Sequence, residues 1–198
     1  MASPVYAVIK RCLDVVLSFV FLAFLWPFMV LIGVVIRCET EGGALFRQER
    51  VGQNGRPFVC LKFRTMVCTA PSRRPTTAFP DAEQYVTRVG RFLRRYSLDE
   101  LPQLFNVLCG QMSLVGPRPL LEEEMAVHRM RRANGASCLR PGLTGLAQIR
   151  GRDLLDDVHK ARLDGQYYHR IGLRTDAYIL WRTVLCVMRG DGLAKKAE

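Results

Sequence analysis

Apolar residues are spread very unevenly along this chain. From Val15 to Ile36 the stretch VVLSFVFLAFLWPFMVLIGVVI runs 22 residues without a charge, and crossing a hydrocarbon core takes about 20. No polar face recurs at helical spacing, which argues against a buried helix of a soluble domain. The run is too long for a cleaved signal peptide, and no small-x-small site follows it. The segment therefore meets lipid. Trp26-Pro27 lies at its middle, where proline removes a backbone donor and crowds the preceding turn. Lys10 and Arg11 precede the segment, and Arg37, Arg47 and Arg50 follow it. Basic residues on both sides fit the positive-inside tendency best if both ends stay cytoplasmic. On these grounds a re-entrant helix-break-helix and a proline-kinked spanning helix both remain open.

From residue 39 to 198 the pattern changes to that of one water-facing unit without repeats, so the chain divides into a membrane-embedded 1–38 and a domain 39–198. Asn54-Gly55 between two partly apolar runs predicts a β-hairpin. VCTAPSRRPTTAFPDAEQ, rich in Pro, Ser and Thr, reads as a mobile loop. VTRVGRFLRRYS predicts a short basic helix with Arg88, Arg91 and Arg95 on one face. LPQLFNVLCG reads as a compact apolar helix closed by Gly110, and MSLVGPRPL as an extended segment fixed by proline. LEEEMAVHRMRRANG predicts a helix with acids in its first turn and bases in its last. LRPGLTGLAQIRGR is turn-rich. Thr175 and Asp176 can start a final amphipathic helix, whose Tyr178 and Trp181 suit a membrane interface. The expected class is α+β, mostly helical with a small sheet, with interfacial helices beside the membrane segment.

Charge narrows the partners. Lys plus Arg number 29 against 18 for Asp plus Glu, a formal +11, which calls for an anionic partner. Arginine outnumbers lysine, which favours bidentate phosphate recognition. Few aromatic residues interleave with the arginines, so a nucleic-acid surface is disfavoured. The seven cysteines are scattered, with no C-x-x-C pair, and read as reduced, small core residues of a cytosol-facing protein.

The candidate chemistry centres on YSLDELPQLF, where Asp99 and Glu100 follow a run of arginines and precede Pro102. Ser97-x-x-Glu100 matches a capping box, and Pro102 favours a helix starting near Asp99. Carboxylates at such a terminus stay ionised, fit to act as a nucleophile or metal ligand. Arg94 and Arg95 stand upstream, and Pro117 and Pro119 hold Arg118 extended between them. Lys62 and Arg64 in LKFRTM, and Arg150 and Arg152 in IRGR, add cations near turns. Acids flanked by arginines beside a membrane segment point to phosphoryl chemistry at a lipid surface.

KRCLD, FRQERVGQNGRPF, KFRTM, RVGRFLRRYSLDELPQLFNVL, MSLVGPRP and RPGLTGLAQIRGR together resemble the bacterial sugar transferases, the monotopic phosphoglycosyl transferases that begin polyprenol-linked glycan assembly. The resemblance implies a bacterial inner-membrane enzyme with its active site at the cytoplasmic face. It implies a ping-pong reaction in which Asp99 attacks a UDP-sugar, releases UMP and passes the phosphosugar to polyprenol phosphate. It assigns Mg²⁺ to Glu100 with Asp99, and substrate phosphates to Lys62, Arg94, Arg118 and Arg152. Anionic lipids are expected partners, nucleic acid is not, and a homodimer is one assembly left open. It also favours the re-entrant form, with the break at Trp26-Pro27 where the family has Ser-Pro. Gln111 and Asp153 are two further departures from the family pattern.

Overall fold

The computed structural model describes residues 4–70, 82–151 and 154–190. The mobile loop expected at residues 67–84 falls largely on 71–81, outside the described residues, as do Arg152 and Asp153.

The chain opens with α1 (Pro4–Glu39), a single helix that is apolar on nearly every side. At 1.5 Å per residue it is about 54 Å long, well beyond a hydrocarbon core of about 30 Å. Helical backbone continues through Trp26-Pro27, so Pro27 lies inside α1 and does not divide it into two helices. Proline deletes one donor and displaces one carbonyl, which kinks a helix while the rest of the ladder persists. One stripe of α1 is buried: Asp14, Ser18, Leu22, Met29, Ile32 and Ile36. The sequence suggested no polar side, yet Asp14 and Ser18 lie on this stripe against protein. The other faces leave Phe19, Phe24, Trp26 and Leu31 exposed, as a lipid-contacting helix requires.

Both ends of α1 are tied to the rest of the molecule. Arg11 donates to the carbonyls of Val107 (2.7 Å) and Leu108 (2.9 Å). Asp14 accepts from the backbone N–H of Leu114 at 3.0 Å, and Lys10 pairs with Asp176 at 2.7 Å. At the far end, Glu39 accepts from the Val89 N–H at 3.1 Å.

β1 (Leu45–Val51) and β2 (Pro57–Phe63) form the expected antiparallel hairpin. Its turn needs positive φ at Asn54 (56°) and Gly55 (79°), the conformation for which Asn-Gly is suited. Register pairs Phe46 with Lys62, Gln48 with Cys60 and Arg50 with Phe58, so these six side chains share one face. Two helices follow, α2 (Arg88–Arg95) and α3 (Gln103–Leu108). Thr87 caps α2 by accepting from Gly90 N–H at 2.9 Å, and Arg88, Arg91 and Arg95 are all exposed.

A second sheet was not foreseen. β3 (Ser113–Val115) and β4 (Gly142–Thr144) pair in parallel, Ser113 opposite Gly142 and Val115 opposite Thr144. Between them lies α4 (Met125–Ala133), and after them come α5 (Leu146–Arg150), α6 (Asp157–Arg170) and α7 (Leu173–Arg189). The acids of LEEE precede α4, so they do not sit in its first turn. α7 starts at Leu173, ahead of Thr175, and buries Asp176. Tyr178, Trp181, Val184 and Met188 are exposed along α7. One core joins the α1 stripe to Phe58, Phe63, Leu104, Met112, Tyr167 and Ile179.

The cysteines depart from expectation. Only Cys60 is buried; Cys12, Cys38, Cys68, Cys109 and Cys138 are exposed and Cys186 is intermediate. Two of the exposed ones, Cys12 and Cys38, lie near the two ends of α1, outside its uncharged run.

A Cβ on Gly142 would lie 2.1 Å from Gly116 N and 2.4 Å from Thr144 O, all of it backbone. Gly142→Ala is therefore expected to force β3 and β4 apart and cost about 3 kcal/mol, read as a lowered midpoint of thermal unfolding in detergent.

Candidate active site

The charged chemistry converges on one small open cleft. Arg50 from β1, with Cys60 and Lys62 from β2, lines one wall. Glu100 and Gln103 line a second, and Arg118, Pro119, Gly142, Leu143 and Gln148 complete it. Alternation along the hairpin produces the first wall, since Arg50, Cys60 and Lys62 all face inward by register.

Glu100 is held by Lys62, with Nζ 2.9 Å from Oε1. Both side chains are largely shielded from water, at 19% and 14% exposure, so their attraction is screened less than that of a surface ion pair. Asn106 of α3 positions β2 for this contact. Its Oδ1 accepts from Leu61 N–H at 3.0 Å, and its Nδ2 donates to Val59 O and Gln111 Oε1, each at 2.7 Å. Gln111, a departure from the family pattern, is thus an acceptor for Asn106.

Asp99 is buried at 8% exposure, on a 3-10 turn spanning Leu98–Glu100. The expected capping box is not made. Ser97 adopts a left-handed conformation (φ 55°, ψ 23°) and its side chain makes no cap hydrogen bond. α3 begins only at Gln103, with Pro102 as the residue before it. Proline placed there sacrifices no helical donor, which explains its position. The two acids are therefore set by a tight turn ahead of the helix.

Of the cations expected in the site, Lys62 and Arg118 line the cleft. Arg94 is not among its lining residues; its Nε donates to Thr65 Oγ1 at 2.8 Å. Arg64 turns away and donates to the carbonyls of Thr40 (2.9 Å) and Glu41, bracing the exit of α1. Arg150 is exposed.

Arg50, Gln103 and Gln148 were not anticipated as site residues. Arg50 had looked like a flanking membrane charge, although alternation along β1 could have placed it inward. Its Nη1 donates to Pro119 O at 3.3 Å and its Nη2 to Gln48 Oε1 at 2.6 Å. Arg50 Nε and Gln148 Oε1 are buried without a hydrogen-bond partner. Burial first, then repulsion from Arg118, pulls the Arg50 guanidinium below the usual arginine range. Burial pushes the Cys60 thiol up despite nearby Lys62, so it stays protonated and unreactive. Desolvated cations and the unmatched Arg50 Nε donor favour an anion, while the Gln148 Oε1 acceptor calls for a donor.

The bacterial sugar transferase profile matches residues 5–190. The chain belongs to the bacterial sugar transferase family. Among relatives of this sugar transferase, a UDP-glucose:undecaprenyl-phosphate glucose-1-phosphate transferase of Caulobacter vibrioides is 42% identical over 92% of the chain and 70% of its own length. The exopolysaccharide production protein ExoY of Sinorhizobium fredii is 35% identical, covering 95% of the chain and 90% of that protein. A UDP-N-acetylgalactosamine-undecaprenyl-phosphate N-acetylgalactosaminephosphotransferase of Aeromonas hydrophila is 34% identical over 97% of the chain, which spans 46% of that larger protein.

Whether the acids of this sugar transferase fit Mg²⁺ can be judged from the donors. No group of three or more His, Cys, Asp or Glu side chains among the described residues could hold a metal ion. Mg²⁺, however, is commonly bound by one or two carboxylates together with substrate phosphates. Adjacent Asp99 and Glu100 beside a cationic cleft fit that substrate-completed arrangement.

Replacing Asn106 by Leu leaves Val59 O and Leu61 N without their side-chain partner. A loss of about 2–4 kcal/mol in unfolding free energy is expected, measured by denaturant titration in detergent.

Proposed function

We propose that the protein transfers a sugar 1-phosphate from a UDP-sugar to polyprenol (undecaprenyl) phosphate at the cytoplasmic face of the bacterial inner membrane. This would be the first membrane step of assembling an exopolysaccharide, O-antigen, capsule or glycoprotein glycan. The observation that carries the reading is the cleft, which sets Arg50, Lys62 and Arg118 around Glu100, next in sequence to a buried Asp99. Relatives whose names specify undecaprenyl phosphate and UDP-sugars support the choice of substrates.

In this reading an Asp99 carboxylate oxygen attacks the β-phosphorus of the UDP-sugar. The new O–P bond forms as the bond to the bridging oxygen breaks, and UMP leaves with that electron pair. A phosphate oxygen of polyprenol phosphate then attacks the same phosphorus. The Asp99 carboxylate departs, and the product is a polyprenyl diphosphate sugar. A carboxylate approaching a diphosphate is repelled, and Arg50, Lys62 and Arg118 offset that repulsion inside a poorly hydrated cleft. The resemblance also assigns substrate phosphates to Arg94 and Arg152, of which Arg94 bonds to Thr65 outside the cleft lining and Arg152 falls outside the described residues. Lys62 orients Glu100, and Glu100 with Asp99 would hold Mg²⁺ against the phosphates, where the ion supplies charge neutralisation and Lewis-acid polarisation.

The membrane arrangement belongs to the same proposal. Lys10, Arg11 and Asp14 near one end of α1, and Glu39 at the other, bond to one water-facing body. A spanning helix puts its ends on opposite faces, and a body this charged cannot sit on both. α1 therefore enters and leaves on one face, bending at Pro27, in a monotopic arrangement.

Purified protein with Mg²⁺, undecaprenyl phosphate and UDP-glucose, UDP-galactose or UDP-N-acetylgalactosamine in turn is expected to release UMP with at least one donor. Asp99→Asn should lower that rate roughly a thousandfold or more while the protein still partitions with membranes; undiminished turnover would refute the nucleophile. An epitope tag at the N-terminus should stay protected from protease added outside intact spheroplasts, whereas a spanning α1 with its tail outside would expose it.

A further inference from the structure

Arg131 lies in the last turn of α4, where a basic residue ordinarily complements the helix dipole from the surface. Here it is buried, at 8% exposure. Its Nε and Nη2 both reach Asp164 Oδ2 on α6, at 2.9 and 2.7 Å. Asp164 is 1% exposed, and burial pushes its carboxyl up against the opposing pull of Arg131. A buried ion pair of this kind is seldom kept for stability alone, because an apolar pair of equal volume serves as well. The third arm of the guanidinium supplies the other reason: Nη1 donates to the backbone carbonyl of Arg118 at 2.9 Å.

That carbonyl belongs to a segment gripped at each neighbouring carbonyl. Pro117 O accepts from Gly142 N–H at 2.8 Å, Pro119 O from Arg50 at 3.3 Å and Leu120 O from Val51 N–H at 2.9 Å. Gly142, Arg50 and Val51 all belong to sheets. Arg131 brings the helical layer, α4 braced by α6, to bear on the residue whose side chain lines the cleft. A small apolar cluster of Leu120, Val127 and Ala161 locks the same three pieces together.

We propose that Arg131, oriented by Asp164, is a positioning residue that fixes Arg118 for the substrate diphosphate. The inference rests on Arg118 binding phosphate as described above. It assigns a functional role to two residues that do not touch the substrate.

The test is a double-mutant cycle on the dissociation constant of UDP, measured calorimetrically with Mg²⁺ on the full chain in detergent. Arg131→Lys keeps the charge opposite Asp164 but cannot serve both partners, and should weaken UDP about tenfold, the equivalent of one hydrogen bond. The paired change Arg131→Met with Asp164→Leu removes both buried charges, preserves the fold and should weaken UDP equally. Arg118→Ala should weaken UDP, and adding either Arg131 change to it should do nothing more. A merely structural role predicts instead that the Met/Leu pair restores wild-type affinity, or that the losses add in the Arg118→Ala background; either overturns the proposal. Unchanged UDP binding by Arg118→Ala alone would remove the phosphate role of Arg118 itself, and the positioning role with it.

Discussion

The site depends on the contact between two glycine backbones. Gly116 N–H donates to Thr144 O and Gly142 N–H to Pro117 O, each at 2.8 Å, and this approach leaves no space for a Cβ on either residue. The contact holds β3 against β4 and carries the Gly-Pro-Arg-Pro segment to the mouth of the cleft. It also brings α5, and with it Gln148, to the opposite rim. β3 in turn takes the Asp14 carboxylate of α1 at Leu114, so the apolar helix and the cleft-lining loop share one small parallel pair.

Electrostatics and burial pull against each other in this molecule, and the fold resolves them locally. A chain of formal charge +11 draws three cations into one cleft, where each loses hydration. Arg50 shows the strain most, lowered by burial and by Arg118. The relief available is an anion, and a diphosphate brings more negative charge and more acceptor oxygens to one site than a carboxylate or sulfate ester does. The lipid side follows the same logic. Tyr6, Lys10 and Tyr167 all converge on Asp176 at 2.7–2.8 Å, so the polar end of α1 is satisfied by protein and its remaining faces are left to lipid.

Much of this was legible beforehand where one force dominates. The apolar run of α1 and the Asn54-Gly55 hairpin follow from lipid solvation and turn sterics, whereas the choice of Lys62 with Arg118 came from the family resemblance, because charge alone offered Arg64 and Arg150 equally. What stayed hidden depended on contacts between distant segments. Ser97-x-x-Glu100 has the letters of a capping box, yet a left-handed Ser97 and Pro102 push the helix start to Gln103. The β3–β4 pair joins two segments that look like loops, since each strand has only three residues. α6 carries mixed polar and apolar letters and went unassigned, because its burial of Asp164 and Tyr167 is meaningful only beside α4 and α7. Arg50 read as a membrane flank until register turned it inward.

The central claim is that Asp99 carries the phosphosugar between donor and acceptor. Intact-mass spectrometry of the protein incubated with Mg²⁺ and an active UDP-sugar, without polyprenol phosphate, tests it most directly. The account predicts a mass gain of one phosphosugar, mapping to the peptide that contains Asp99 and discharged on adding undecaprenyl phosphate. Turnover without any such adduct, or an adduct that persists when Asp99 is replaced by Asn, would contradict it.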